Sequence, residues 1–402
     1  MNITIVGGGF GGVKAALELA KQPYNHITLI SDKPDFQYYP ALYGTATGHS
    51  KLQSWVPLGE IFAKKDNVNV LIDTITMIDP DAKVLSAKSG QRYAYDTCIL
   101  ALGAVTTYFG IEGLDTFAYG IKSSEEITRL KHHLYEEMGE RHMIDKHYVI
   151  VGGGPTGVEL ASALGAYLER LRIHYKLPHH KIRINLVEAS PRLLPRMHEK
   201  TSAKVRKRLE KLGVHVETGK VVQSATADTL MVSGRPIKSQ TVIWTSGVAN
   251  NPFYKENETH FEFIKNGKVV VDDHLKAGKN LYIIGDNAAT SFSGLAQTAL
   301  HDALFLAENF KRHHDREPLK KYKAVMPPVV VPVGENWAVF EWRKLRLSGW
   351  PASVIRRAAD VVGYSDILPF GYAFDVWRSQ RILEDEYFTP TPKNSATPDA
   401  QK

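Results

Sequence analysis

"NITIVGGGFGGVKAALELA", residues 2–20, decides the fold. Ile3, Ile5 and Val6 make an apolar strand, Gly7, Gly9 and Gly12 satisfy G-x-G-x-x-G, and an Ala- and Leu-rich helix follows. In that order the glycines allow a tight turn, close backbone approach to a pyrophosphate and close helix packing, and the helix N-terminus attracts the anion. The fingerprint is weak alone, but here it has both flanks, and a second strand, "HITLIS" (26–31), arrives at the expected distance. An acid should close that strand to hold a ribose hydroxyl, and "LISDK" offers Ser31 or Asp32. Spacing does not choose between them, although a serine would bond the ribose less strongly than a carboxylate.

The pattern repeats. "KHYVIVGGGPTGVELASAL" (146–164) places Gly152, Gly154 and Gly157 between a strand and a helix, and its second strand, in "RINLVEASPRLLP" (183–195), ends at Glu188. An acid there favours the ribose of NADH over the phosphate of NADPH, while the nearby Arg192 keeps some NADPH use open. Two such cradles imply two dinucleotide sites in an α/β chain. "NLYIIGDNAATS" (280–291) sets Gly285-Asp286 after an apolar strand, and "CILALGA" (98–104) ends in a Gly-rich turn at Gly103, so the chain crosses back to its first unit. Asp286 alone would read as an ordinary turn aspartate.

With 402 residues the chain can hold two or three domains, and its composition is that of a soluble globular protein. No run approaches the about 20 apolar residues that span a bilayer, and the N-terminus enters a strand with no leader, which points to a cytosolic protein. The single cysteine, Cys98, lies in a stretch that reads as a buried strand, so neither a flavin disulfide pair nor a Cys-based metal cluster is available. The 16 histidines, with doublets such as His132–His133 and His313–His314, lack carboxylate or thiol partners at ligand spacing and read as solvated surface, not metal ligands. The net charge of +7 comes with no nucleic-acid recognition module, which leaves anionic cofactors or an anionic membrane surface as partners.

These motifs, with "YYPALYGTATG" (38–48), "VIWTSGV" (242–248), the helix "AQTALHDA" (296–303) and "KLRLSGW" (344–350), make the chain resemble the two-dinucleotide-binding-domain flavoproteins, and within them the type II NADH:quinone oxidoreductases, over roughly residues 1–388. The resemblance implies two Rossmann-like domains, an NADH domain (121–264) inserted in a FAD domain (1–120 and 265–325), then a C-terminal region (326–388) for membrane association or dimerisation. It implies FAD against Gly7, Gly8, Gly9, Phe10, Gly11, Gly12, Ser31 or Asp32, Lys33, Thr47, Ile75, Gly103, Asp286, Ala296 and Gln297. NADH would lie on Gly152, Gly154, Pro155, Thr156, Gly157, Glu188 and Gly247. The nicotinamide would pass a hydride to one side of the flavin, and a membrane quinone would meet the other.

Gln297 matches the family's first glutamine of AQ-x-A-x-Q, and His301 stands where the second is expected. A histidine can donate a hydrogen bond to a quinone carbonyl and deliver a proton; the competing reading is a histidine satisfied within the core. Glu159 matches a family glutamate near flavin and quinone, and a carboxyl there has protons to deliver. It also forms T-x-x-E with Thr156, a capping box worth about 1 kcal/mol.

In the C-terminal region Val354, Ile355, Ala358, Val361 and Val362 recur at helical spacing with Arg356, Arg357 and Asp360 opposite, and Phe370, Phe374 and Trp377 line up further on. With Trp342, Trp350, Arg343, Lys344 and Arg346 this reads as helices lying on a membrane surface. The competing reading packs those faces on the protein's own body or a second subunit. Residues 389–402 read as disordered. The expected protein is a peripheral enzyme on the cytoplasmic face of the cell membrane that transfers electrons from NADH to quinone without pumping protons. The alternatives are an NADH-dependent flavin reductase serving a protein acceptor such as ferredoxin, and a redox-sensing flavoprotein.

Overall fold

The computed structural model describes residues 1–179 and 181–384; the expected disorder of 389–402 lies outside them. The first unit contains β1 (Asn2–Val6), α1 (Phe10–Leu19), β2 (His26–Ser31), β3 (Val68–Ile72) and β4 (Thr97–Leu100). The second contains β5 (Ala118–Tyr119), β6 (Tyr148–Val151), α2 (Pro155–His174), β7 (Ile184–Glu188), β8 (Val214–Thr218) and β9 (Thr241–Trp244). The chain then returns to the first through β10 (Lys276–Gly278), β11 (Leu281–Ile283) and α3 (Ala296–His314). It closes with β12 (Val329–Pro332), β13 (Ala338–Trp342), β14 (Leu345–Gly349), α4 (Trp350–Ser365) and α5 (Phe370–Ser379).

The first sheet has the order β10-β11-β4-β1-β2-β3, parallel except for the antiparallel β10 at its edge, and the second has β5-β9-β6-β7-β8, parallel throughout. Near-continuous apolar strands such as Tyr148–Val151, buried at every position, are what a sheet covered on both faces requires. Two connecting segments, Ala104–Thr106 and Val248–Asn250, pair antiparallel as they leave and re-enter the first unit. Ala118, before the expected start at 121, already pairs in the second sheet, and Phe253 and Tyr254, before the expected end at 264, already pack in a core of the first unit.

The C-terminal region is built into both units. Val331, Val333 and Val339 join the core of the second, while Tyr364, Ile367, Leu368, Ala373 and Val376 join that of the first. At roughly 1.5–3 kcal/mol per buried large apolar side chain, these helices are part of the fold and not a detachable anchor. On α4, Arg356 and Asp360 turn inward at 9% and 5% exposure, while Trp350, Val354 and Val362 face out at 67%, 43% and 62%, and Arg357, expected beside Arg356 and Asp360, is exposed. Periodicity separated the two faces but could not say which one had buried polar partners.

Candidate functional site

The two cradles are built alike. Gly7 and Gly152 each have φ of +118°, a conformation that disfavours any side chain. A Cβ on Gly12 would meet the Gly7 carbonyl oxygen at 1.9 Å, and one on Gly157 would meet that of Gly152 at 1.8 Å. Strand, turn and helix therefore close to the same backbone contact in both units. Gly9 and Gly154 precede α1 and α2 with no side chain capping either helix, so the first-turn N–H groups point into each cradle, the arrangement a pyrophosphate fits. Pro155 occupies the first turn of α2, where its missing N–H costs nothing. The helix thus begins before Thr156, and the expected Thr156–Glu159 capping box is not formed.

At the end of β2, Ser31 is buried beneath Gly8, its hydroxyl donating to the Lys33 carbonyl at 2.7 Å, whereas Asp32 and Lys33 are exposed. Ser31 thus holds under Gly8 the strand-end position that Glu188 holds under Gly153, and Asp32 follows it as an exposed carboxylate. At the end of β7, the Glu188 carboxylate accepts the Gly153 N–H at 2.5 Å and the Ser190 N–H at 2.6 Å, which aims it across the second cradle. Arg192 is committed elsewhere: its guanidinium donates to the Met197 and Pro195 carbonyls at 2.6 Å and to the Ser202 hydroxyl at 2.9 Å. Those bonds occupy the guanidinium that the sequence left as the route to NADPH use.

The connecting segments meet at a knot of backbone contacts. Asp286 accepts the Ala104 N–H at 3.2 Å, and burial pushes its carboxyl above the usual range against the pull of that bond and of the Lys268 charge. Asn287 donates to the Gly103 carbonyl at 2.6 Å and accepts the Asn251 N–H at 2.9 Å. Lys122 donates to the Gly247 carbonyl at 2.9 Å, bridging the second unit to the same junction. Gly103 and Gly247 have φ of +66° and +71° there. Asn287 and Lys122 were missed in the sequence, where only the glycines and Asp286 carried a motif.

Phe10 is buried by packing on Phe36 and Tyr38, with ring centroids 5.0 and 5.7 Å apart, so only its backbone serves the cradle. Gly11 packs tightly beneath Ile284, where a Cβ would lie 3.2 Å from the Ile284 side chain, and in ordinary contact with Ala299 of α3. Thr47 is buried, its hydroxyl donating to the Tyr43 carbonyl at 2.9 Å, and Ile75 is a core residue of the first unit.

Helix α3 separates its polar residues. Ala296 is half-buried and Gln297 is exposed at the N-terminal end. One turn on, His301 Nε2 lies 2.9 Å from the Lys323 carbonyl oxygen, with its ring 5.6 Å from that of Tyr322. Its neighbour Asp302 is fully buried, accepting the Gly285 N–H at 2.9 Å and the Tyr322 hydroxyl at 2.5 Å. The ring expected to meet a quinone is thus engaged with the segment that follows α3.

Glu159 sits on α2, 9% exposed. Burial pushes its carboxyl up to about 8, against the pull of Arg356 and with the push of Asp360. A carboxyl in that range carries a proton at neutral pH and can release it. Cys98 is fully buried and burial pushes its thiol up, so it offers no thiolate for redox chemistry. Among the described residues no group of three or more His, Cys, Asp or Glu is placed to hold a metal.

A model of the pyridine nucleotide-disulphide oxidoreductase family matches residues 1–303. A type II NADH:quinone oxidoreductase of Mycobacterium tuberculosis is 30% identical over 350 residues, covering 80% of this chain and 75% of that one. One from Staphylococcus aureus is 27% identical over 395 residues, covering 92% and 97%. Among solved structures, NDH2 from Plasmodium falciparum in complex with NADH has a TM-score of 0.84 at 19% identity, covering 94% and 97%. The sulfide:quinone oxidoreductase from Aquifex aeolicus has a TM-score of 0.76 at 20% identity, covering 94% and 92%. Those two structures speak for the fold alone, whereas the family model and the sequence relatives reach further: the chain belongs to the pyridine nucleotide-disulphide oxidoreductase family and, within it, to the type II NADH:quinone oxidoreductases.

Proposed function

We propose that this chain is a FAD-dependent NADH:quinone oxidoreductase. The observation that carries the reading is the pair of matched cradles, one on each unit, in a chain whose two units are joined by the paired segments 104–106 and 248–250. When bound, FAD supplies two-electron chemistry, accepting a hydride from NADH and passing the electrons to quinone. The first-turn N–H groups of α1 would hold the FAD pyrophosphate, Ser31 or Asp32 at the end of β2 would take its ribose, and Asp286 with the Gly103 turn would complete the site. Glu188 takes the NADH ribose, and Lys122 sets the Gly247 carbonyl.

Gln297 lies at the exposed start of α3 and orients the quinone head. Glu159 holds one of the two protons that a quinone needs to become a quinol. His301 supports the loop at Lys323 and is reassigned from direct quinone contact to that role.

No described helix is long and apolar enough to cross a membrane, and proton pumping forms no part of the proposed reaction. The outer face of the C-terminal region carries Trp342, Leu345, Trp350, Val354 and Val362, exposed beside Arg343, Lys344 and Arg346. Aromatic rings and cations in that arrangement suit an anionic bilayer surface, here assigned to the cytoplasmic face. A second copy of the chain on the same face is the competing occupant.

The test is NADH oxidation by the purified protein with a short-chain quinone, with and without anionic vesicles. Quinone-dependent turnover that rises with vesicles supports the reading. Turnover seen only with an acidic protein acceptor would move the activity to the flavin-reductase alternative.

A further inference from the structure

Arg356 and Asp360, one turn apart on the inner face of α4, form a buried ion pair. Arg356 Nη1 engages Asp360, and Nη2 donates to the Pro40 carbonyl at 2.9 Å. The Tyr38 hydroxyl donates to Asp360 Oδ1 at 3.1 Å. The Tyr38 ring stacks on Tyr364 at 4.1 Å, and the Tyr364 hydroxyl donates to the Gln53 carbonyl at 2.6 Å and accepts from Gln380 at 3.3 Å. Taking two charges out of water costs several kcal/mol, and apolar residues of similar volume often give equal or better stability. Stability alone therefore does not explain this pair.

Its place in the fold suggests another role. Pro40 leads into the short helix Leu42–Ala46, which packs against α2, the helix that carries Glu159. The charges acting on Glu159 are Arg356, which favours its carboxylate, and Asp360, which opposes it; Tyr43, on the short helix, is the third titratable group facing them. An uncompensated guanidinium beside a buried carboxyl would hold it ionised and leave it no proton to give.

We propose that Asp360 is a positioning residue for Glu159: held by the Tyr38 hydroxyl, it occupies Nη1 of Arg356 while the Pro40 carbonyl occupies Nη2, and so keeps that cation from capturing the Glu159 carboxylate. The inference rests on the reading of Glu159 as a proton donor to quinone. It gives α4 two working faces, the inner one setting the charge at Glu159 and the outer one carrying the exposed apolar residues.

The test is a pH titration of the Glu159 carboxyl by infrared difference spectroscopy on the flavin-loaded protein, with Glu159→Gln identifying the band. The wild-type midpoint is expected at about 8. Asp360→Asn should lower it by about one pH unit or more, because Arg356 is then unopposed. Arg356→Gln should raise it, and Arg356→Lys should restore it. A merely structural pair would not shift the midpoint in opposite directions.

An unchanged midpoint in folded, flavin-loaded Asp360→Asn overturns the proposal. Should that variant lose its flavin, the two Arg356 variants decide, and midpoints at the wild-type value in both overturn it. The readout needs no quinone, so failure of wild-type quinone turnover would sink the proposed function separately.

Discussion

Asp302 accepts the Gly285 N–H at 2.9 Å, tying α3 to the turn that presents Asp286. The same carboxylate takes the Tyr322 hydroxyl, so one buried residue joins the return strand, the helix and the segment beyond it. Asp302→Ala leaves a buried amide and a buried hydroxyl without their acceptor, each costing about 1–3 kcal/mol. We expect a fall of that order in unfolding free energy together with weaker flavin retention, read by denaturant titration and by flavin content after dialysis. An unchanged flavin content would show that the turn holds Asp286 without Asp302.

Gln297 and His301 share a face of α3, yet their surroundings differ. Gln297→Ala is expected to slow quinone reduction about ten-fold, the rate equivalent of about 1.4 kcal/mol, while flavin reduction by NADH is spared. His301→Ala removes a single bond to a backbone carbonyl and is expected to cost about 1 kcal/mol of stability with quinone kinetics near wild type. Stopped-flow half-reactions separate the two, and a His301 variant defective only toward quinone would restore direct contact.

Nucleotide choice follows from two side chains. Glu188 lies across the second cradle, where the 2′-phosphate of NADPH would meet its charge, and Arg192 is bonded to backbone carbonyls and unable to answer it. NADH should be preferred strongly over NADPH. Glu188→Ala should weaken NADH and narrow that preference about ten-fold or more, whereas Arg192→Ala should lower stability and leave the preference as it was. KM ratios for the two nucleotides are the measurement.

The Glu159 carboxyl gives a pH dependence whose sign is fixed. Burial raises its folded value to about 8, above that of an exposed glutamate, so the folded state binds the proton more tightly than the unfolded chain. Stability from this group is therefore lost as pH rises from the unfolded value toward 8. Quinone reduction should likewise fall as pH rises through about 8, with the step absent in Glu159→Gln. A pH-independent wild-type quinone half-reaction over that range would remove Glu159 from proton delivery.

Membrane contact is expected to depend on the outer face of α4. Replacing Trp350 and Val362 by serine should reduce co-sedimentation with anionic vesicles while leaving NADH oxidation by a soluble acceptor intact. Added salt should weaken binding only in part, because screening acts on the Arg343 and Arg346 charges and not on the apolar area. Unaltered binding in the double variant, with a dimer lost in solution, would assign the face to a second copy.

Much of this was legible because the cradles are local: strand, glycine turn and helix are contiguous in sequence, and a crowded turn leaves glycine little competition at Gly7, Gly12, Gly152 and Gly157. That Ser31 lies under Gly8 as Glu188 lies under Gly153 was not legible, since it depends on how each strand end meets its glycine turn. His301 could be placed on a face but not in its environment, because Lys323 comes from a segment beyond the end of α3. Arg356 and Asp360 were placed opposite the apolar residues of α4, but periodicity cannot reveal that Tyr38 and Pro40, more than 300 residues away, supply their polar partners. Long-range partners were what the sequence withheld.

The most direct measurement is an anaerobic double-mixing experiment on the purified, flavin-loaded protein. NADH is added first, the flavin absorbance is followed, and a short-chain quinone is added once it has bleached. The account predicts rapid bleaching by NADH and rapid recovery with quinone. Rapid bleaching with no recovery on quinone would contradict it, leaving an NADH-reducible flavoprotein whose acceptor is something other than a quinone.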